Sequence, residues 1–281
     1  MYAMIDRTIY ETSSVQIGVF RCSADDPSFG DSGPIETFCF VFPRSSVVIE
    51  HREGTPFVAD PNVVVLYNRG QLYRRKAVSA DGDRCDWFAV SEAVMRDAVG
   101  RYDARAAEAS ERPVRFARVA SDSRLYREQR ELFVAVRERR ADPLDVEERV
   151  VGMLARLLRS AYDASPRSTA ANARADSELV HAARAFLGRH FAEPLALADV
   201  ASGVHASVFH LCRTFRRQTG MTLHAYREQL RLRASIEAIE RTSDLTEVAL
   251  DHGYSSHSHY TARFRRTFGL APSALRRAIG N

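Results

Sequence analysis

Between Val15 and Val90 the apolar residues come in short runs broken by turn formers. The segments "SSVQIGVFRC", "ETFCFVFPRSSVVIEH", "TPFVADPNVVVLYNRG", "QLYRRKAV" and "CDWFAV" are rich in Val, Ile, Phe, Thr and Tyr. "SADDPSFGDSGP", "REG", "DPN" and "NRG" separate them. Several short β-type runs at close spacing predict a small barrel or sandwich. From Ser123 the period changes to that of a helix. Leu125, Gln129, Leu132, Phe133 and Val136 fall on one face. A second helix is expected from Pro143, capped by Asp142, with the stripe Val146, Val150, Met153, Leu154, Leu157 and Leu158. The short "ADP" connection predicts an antiparallel pair. Its stripe is core, or a dimer face where it exceeds what the β-domain covers. "ASPRSTAANARAD" (164–176) lacks periodicity and reads as a linker. Helical spacing then runs to the end, starting with "DSELVHAARAFLGRHF" capped by Asp176 or Ser177.

Inside that last region the chain repeats itself. "LADVA" (197–201) matches "LTEVA" (245–249), and "FRRQTGMTLHAYR" (215–227) matches "FRRTFGLAPSALR" (264–276). Each copy has a short helix with a small residue, Ala201 or Ala249, where a neighbour must come close. A turn follows, with Gly203 or Gly253 expected to supply unusual backbone angles. Then comes an N-cap serine, Ser207 or one of Ser255 and Ser256, and a second helix. That helix buries Leu211 and Phe215, or Tyr260 and Phe264, and turns polar and basic groups outward. This is the helix-turn-helix layout, twice over (197–218 and 245–268). The segment between, with Leu223, Tyr226, Leu230 and Ala234 on one face, reads as a strut. Two reading helices on one rigid body would enter major-groove segments about 34 Å apart.

Composition adds a partner and a compartment. The chain has 281 residues, enough for two domains, and 45% hydrophobic and 27% charged residues, as in soluble globular proteins. It has no apolar run of about 18 residues, and its start lacks the basic and apolar segments of a signal peptide. Four scattered cysteines without a CxxC suit reduced thiols, so a cytoplasmic location is expected. The net charge of +4 is unevenly spread: residues 178–281 hold 14 Arg against 9 acidic residues, and eight of the nine histidines. A basic C-terminal part suggests an anionic partner.

At "LADVASGVHASVFHLCRTFRRQTG", "LRLRASIEAI" and "LTEVALDHGYSSHSHYTARFRRTFGLAPSALR" the chain resembles the AraC/XylS family of bacterial transcription regulators, over roughly residues 177–279. The resemblance implies an α+β multidomain protein. Its parts would be a cupin-like β-barrel sensing domain (1–120), a helical dimerisation pair (121–163), a linker (164–176) and an all-α DNA-binding domain with two helix-turn-helix motifs (177–281). It implies double-stranded DNA as partner, RNA polymerase for an activator, a homodimer, and a small-molecule effector on the N-terminal domain. Carried over position by position, the base-facing residues are Phe209, Cys212 and Arg213 in the first reading helix. In the second they are His257, Ser258, Thr261 and Ala262. Phosphate contacts fall to Ser207, Arg216, Arg217, Arg263, Arg265 and Arg266. The sequence departs from the family at Ala262, where an Arg is common; here Arg263 stands one position later, about 100° around the helix. His257 and His259 could chelate a metal on a strand, but on a helix they stand about 200° apart and cannot share an ion.

In the N-terminal domain Phe38, Phe40, Phe42, Tyr67 and Trp87 are the candidates to line an effector pocket. No metal, cofactor or catalytic residue is expected. The domain has one histidine, His51, where a metal-dependent cupin enzyme needs several. A DNA-alkylation repair protein carrying the same DNA-binding module is the other enzymatic alternative, but the chain has no Pro-Cys-His segment.

Overall fold

The computed structural model describes residues 4–279 except Glu53, 165–172 and Ser243. The chain divides into two compact units, Met1–Pro166 and Arg167–Asn281.

The first unit begins with nine strands: β1 (Ile5–Glu11), β2 (Val15–Cys22), β3 (Asp31–Ser32), β4 (Phe38–Pro43), β5 (Val47–His51), β6 (Phe57–Ala59), β7 (Val63–Tyr67), β8 (Tyr73–Ala77) and β9 (Asp83–Val90). Two short helices follow, α1 (Glu92–Gly100) and α2 (Ala104–Ala109), then β10 (Arg118–Ala120), α3 (Ser123–Arg137) and α4 (Pro143–Asp163). The strands form a six-stranded sheet, β1-β2-β9-β4-β7-β10, and a four-stranded sheet, β3-β8-β5-β6. Among the described residues no ladder joins them into a closed barrel, so the expected barrel is two sheets sharing a core. Phe20, Cys39, Val65, Tyr67 and Cys85 of the larger sheet pack there with Val47, Ile49, Phe57 and Ala59 of the smaller.

Strand period decides which side each residue serves. On β4, Cys39 and Val41 face the smaller sheet, while Phe38, Phe40 and Phe42 point the other way. Phe40 stacks on Phe88 at 5.5 Å, and Phe42 meets Phe88 at 5.7 Å and Tyr126 of α3 at 6.5 Å. The same face buries Asp86 among three arginines: Arg130 of α3 at 2.9 Å, and Arg44 and Arg21 at 3.4 Å each. Burial pushes that carboxyl up, but Arg130, Arg44 and Arg21 outweigh it and hold Asp86 below the usual carboxylate range.

Asp142 caps α4, accepting from Leu144 N at 2.9 Å and Asp145 N at 3.2 Å, with Pro143 at the first helical position. The α4 stripe from Val146 to Leu158 is buried within the chain, because α1, α3 and β10 pack on it. It is core, and the suggestion that this stripe is a dimer face is corrected. Helices α1 and α2 interrupt the region expected to be β to residue 120.

The second unit is all helical: α5 (Ala173–His190), α6 (Leu197–Gly203), α7 (Val208–Thr219), α8 (Leu223–Arg241), α9 (Leu245–Asp251), α10 (His257–Phe268) and α11 (Pro272–Ile279). The last four residues of the stretch expected to be linker, 173–176, belong to α5, and most of the stretch lies outside the described residues. Helix α8 buries Leu223, Tyr226 and Leu230 against the first repeat. Farther along, Leu232, Ile236 and Ile239 are buried too, so α8 is covered on more than the one face expected of a strut.

Candidate nucleic-acid interface

The two copies of the repeat fold alike. Helices α6 and α9 bury their small residues, Ala201 and Ala249, at 3% and 0% exposure, so neighbouring helices come close at those points. Asp199 accepts from Ala196 N at 2.7 Å, and Asp244 accepts from Thr246 N at 2.8 Å, fixing the two starts. Ser207 caps α7 by accepting from His210 N at 3.3 Å, and Ser256 caps α10 by accepting from His259 N at 3.2 Å. Helices α7 and α10 both end on a left-handed glycine, Gly220 and Gly269.

The turns differ where the sequence suggested they were alike. Gly253 has φ +78, and a Cβ there would lie 2.2 Å from the Ala192 carbonyl oxygen and 2.5 Å from Arg231 Nη2. Gly203 does not adopt positive φ; His205 does, at φ 53. Gly203 is needed because the Phe186 ring would lie 2.3 Å from its Cβ. Its expected backbone role is therefore corrected to one of close approach.

The outward faces follow from the buried ones. Helix α7 buries Leu211, Thr214 and Phe215; α10 buries Tyr260, Phe264 and Phe268. Phe209 is 76% exposed, an unusual place for a phenylalanine in a free surface, and Arg213 and Arg216 share its side of α7. Cys212 is half-buried against the core of the first repeat. At the equivalent places on α10 stand Ser258, Ala262, Arg265 and the half-buried Thr261. The outward face of α10 thus has a methyl where that of α7 has a guanidinium.

Arginines that look equivalent in the sequence are not so in space. Arg213, Arg216, Arg265 and Arg266 are exposed and make no ion pair among the described residues. Arg217 is paired with Asp176 of α5. Arg263 is half-buried, 3.8 Å from Glu228 of α8 and 3.4 Å from His259 Nε2. Both were expected at phosphates; in the chain without DNA each lies beside a carboxylate. Arg227 and Arg231 are also absorbed, because α5 ends in carbonyls that need donors. Arg231 Nε donates to Phe191 O at 2.6 Å and Arg227 Nε to the same oxygen at 2.9 Å.

The two histidines of "HSH" part company as helical geometry demands. His257 Nε2 lies 3.3 Å from Thr261 Oγ1, whereas His259 Nδ1 lies 3.4 Å from Ser255 Oγ, with its ring against Tyr254. Among the described residues no group of three His, Cys, Asp or Glu could hold a metal ion, and no helix is long and apolar enough to cross a membrane.

The first unit holds a cavity of about 510 Å³ between its sheets, a size that suits a small organic molecule. Tyr67 and Trp87 line it; Phe38, Phe40 and Phe42 do not. Their expected role as pocket residues is corrected by the β4 alternation, which turns them toward α3. The sequence reading missed Tyr73, Asp6 and Glu36 at this cavity. Asp6 sits on β1, a largely exposed edge strand whose "IDRTIYE" carries little apolar alternation to reveal it. His51 lies beside the cavity wall, its ring 5.4 Å from that of Tyr67. Gln71 accepts from Asn68 N through Oε1 at 3.0 Å, so its Nε2 donates to His51 Nδ1 at 2.8 Å. His51 then carries its proton on Nε2.

Residues 200–278 match a family model described as a helix-turn-helix domain. The chain is 28% identical over 102 residues to the bifunctional transcriptional activator/DNA repair enzyme AdaA of Bacillus subtilis, covering 36% of this chain and 48% of that protein. It is 31% identical over 93 residues to the HTH-type transcriptional activator RhaS of Escherichia fergusonii, covering 33% and 34%. A solved transcriptional regulator of Chromobacterium violaceum with an AraC-type DNA-binding domain is 27% identical, covering 39% of this chain and 98% of that one, at a TM-score of 0.36. The chain spans about half or less of the length of these two curated relatives.

Proposed function

We propose that this chain, which belongs through residues 200–278 to the AraC family of DNA-binding transcription regulators, reads a specific DNA sequence with α7 and α10 and answers to a small molecule held by its N-terminal unit. The observation that carries the reading is the pair of equivalent helix-turn-helix units, each turning an outward face with unpaired arginines to solvent. Arg213 is the principal base reader, since a guanidinium at that place offers paired donors to guanine. Phe209 meets thymine methyls and Cys212 packs at the rim of the groove. Ser258, Thr261, Ala262 and His257 make the second, less charged reading face. Arg216, Arg265 and Arg266 hold phosphates, and Ser207 can still donate its hydroxyl to one. Arg217 and Arg263 reach phosphate only by leaving Asp176 and Glu228.

The N-terminal sheets are a cupin-like sensing domain in this reading, and its cavity is the effector site. The protein works in the cytoplasm as a homodimer and activates transcription through contact with RNA polymerase. A mobility-shift titration on DNA upstream of its own gene, repeated at rising salt, tests the reading. Binding that resists a random-sequence competitor and weakens steeply with salt is expected. No binding at low salt, or equal affinity for every sequence, refutes it.

A further inference from the structure

The cavity of the N-terminal unit is lopsided in charge. Three carboxylates line it, Asp6, Glu36 and Asp83, with no arginine, lysine or histidine among the described lining residues. Asp83 is buried and already matched, because Arg75 Nη1 lies 3.1 Å from its Oδ2. That guanidinium lies over the Phe20 ring at 4.7 Å and is itself no part of the lining. Asp6 and Glu36 are different. Both are exposed at the rim, and neither has a basic partner within ion-pair distance among the described residues.

Trp87 Nε1 donates to Asp6 Oδ1 at 3.0 Å, which brings a carboxylate and an indole together at the opening. Partial burial and the neighbouring Glu36 push the Asp6 carboxyl up, against the Trp87 hydrogen bond and the charge of Arg75. Farther in, the walls are apolar and aromatic. Val47, Ile49 and Val65 are buried there, and the rings of Tyr67 and Tyr73 lie 5.0 Å apart.

This arrangement discriminates by charge. An anion brought to the rim meets two carboxylates, and the nearby guanidinium, Arg75, is already matched to Asp83. A neutral molecule gains only burial. A cation relieves the Asp6–Glu36 repulsion and presents its charge to ring faces. We propose that the ligand of this cavity is an amphipathic organic cation, its ammonium head held between Asp6 and Glu36 and its apolar body packed against Trp87, Tyr67 and Tyr73. This rests on the reading that the N-terminal unit senses a small molecule, and it assigns that molecule a class.

Trp87 is the chain's one tryptophan, so its fluorescence reports on the cavity itself. The full chain is titrated with 3-phenylpropylamine, 3-phenylpropan-1-ol and 3-phenylpropanoate, three probes of nearly one shape and different charge. The amine is expected to bind about tenfold tighter than the alcohol, with the carboxylate weakest. The double variant Asp6→Asn, Glu36→Gln keeps an acceptor for Trp87 and removes both charges. It should bring the amine down to the alcohol and leave the alcohol unchanged. Carboxylate or alcohol binding as tightly as the amine, or a preference that survives in the double variant, overturns the charge assignment and leaves ligand sensing standing. No fluorescence or calorimetric response to any of the three overturns both.

Discussion

Replacing Gly253 by Ala should unfold the C-terminal unit far more readily than the same change at another left-handed glycine. Gly253 and Gly269 both have positive φ, +78 and +80, so an added Cβ costs about 1 kcal/mol of backbone strain at either. At Gly269 nothing else lies within 4 Å of that Cβ. At Gly253 it would lie 2.2 Å from a backbone oxygen, Ala192 O, and 2.5 Å from Arg231 Nη2. The carbonyl cannot rotate aside cheaply, because Arg231 Nη2 donates to it at 3.2 Å while Arg231 Nε holds Phe191 O. Accommodating the methyl means moving the end of α5 or breaking that clamp, an overpacking cost of about 2 kcal/mol more. The expected losses are therefore about 3 kcal/mol for Gly253→Ala and about 1 kcal/mol for Gly269→Ala. Chemical denaturation of the full chain, followed by far-ultraviolet circular dichroism, measures both. Trp87 fluorescence, which reports on the N-terminal unit, should not shift. Equal losses in the two variants would show that the close approach at Gly253 is not there, and the account of the second turn would fall with it.

Arg213→Ala should cost about 1–3 kcal/mol on the preferred DNA site and relax base choice at one position; uniform loss on all sequences would make Arg213 a phosphate contact. Arg216→Ala and Arg265→Ala should each reduce the slope of log affinity against log salt by about 1, while Arg217→Ala and Arg263→Ala change it less, since Asp176 and Glu228 already engage those side chains. Phe42→Ala should destabilise the N-terminal unit by about 3–5 kcal/mol, because Phe42 is fully buried against Phe88 and Tyr126; a change confined to ligand affinity would return Phe42 to the pocket. Burial holds the His51 and His252 rings below their ordinary 6.5. The unfolded chain then takes up those protons first, so stability is full above about pH 6.5 and falls as the pH drops toward the folded-state values. Melting temperatures across neutral to mildly acidic pH check this, and His51→Gln should flatten the fall for the N-terminal unit; a rise in stability on acidification refutes it.

The sequence by itself determined the helix-turn-helix pairs, and the reason is local. Cap serines, small residues at the crossing points and i/i+4 aromatics are all read within one or two turns of chain, and two copies of the pattern supply their own check. Ser207, Ser256, Ala201 and Ala249 hold in space the places their spacing predicts. The helical character of 123–163 was legible for the same reason. Tertiary structure alone decided what depends on residues distant in sequence. Alternation along β4 put Phe38, Phe40 and Phe42 on one face, but only the tertiary packing showed which face lies toward α3 and which borders the cavity. The stripe on α4 was visible as apolar; that α1, α3 and β10 cover it was not. Charge counting could not separate Arg213 from Arg217, or Arg265 from Arg263, since a carboxylate on another helix makes the difference. Gly203 and Gly253 occupy matching turns, yet one yields to an aromatic ring and the other to a backbone carbonyl. Local pattern fixes which elements form and where they end; the contacts between them fix which of their side chains are left free to act.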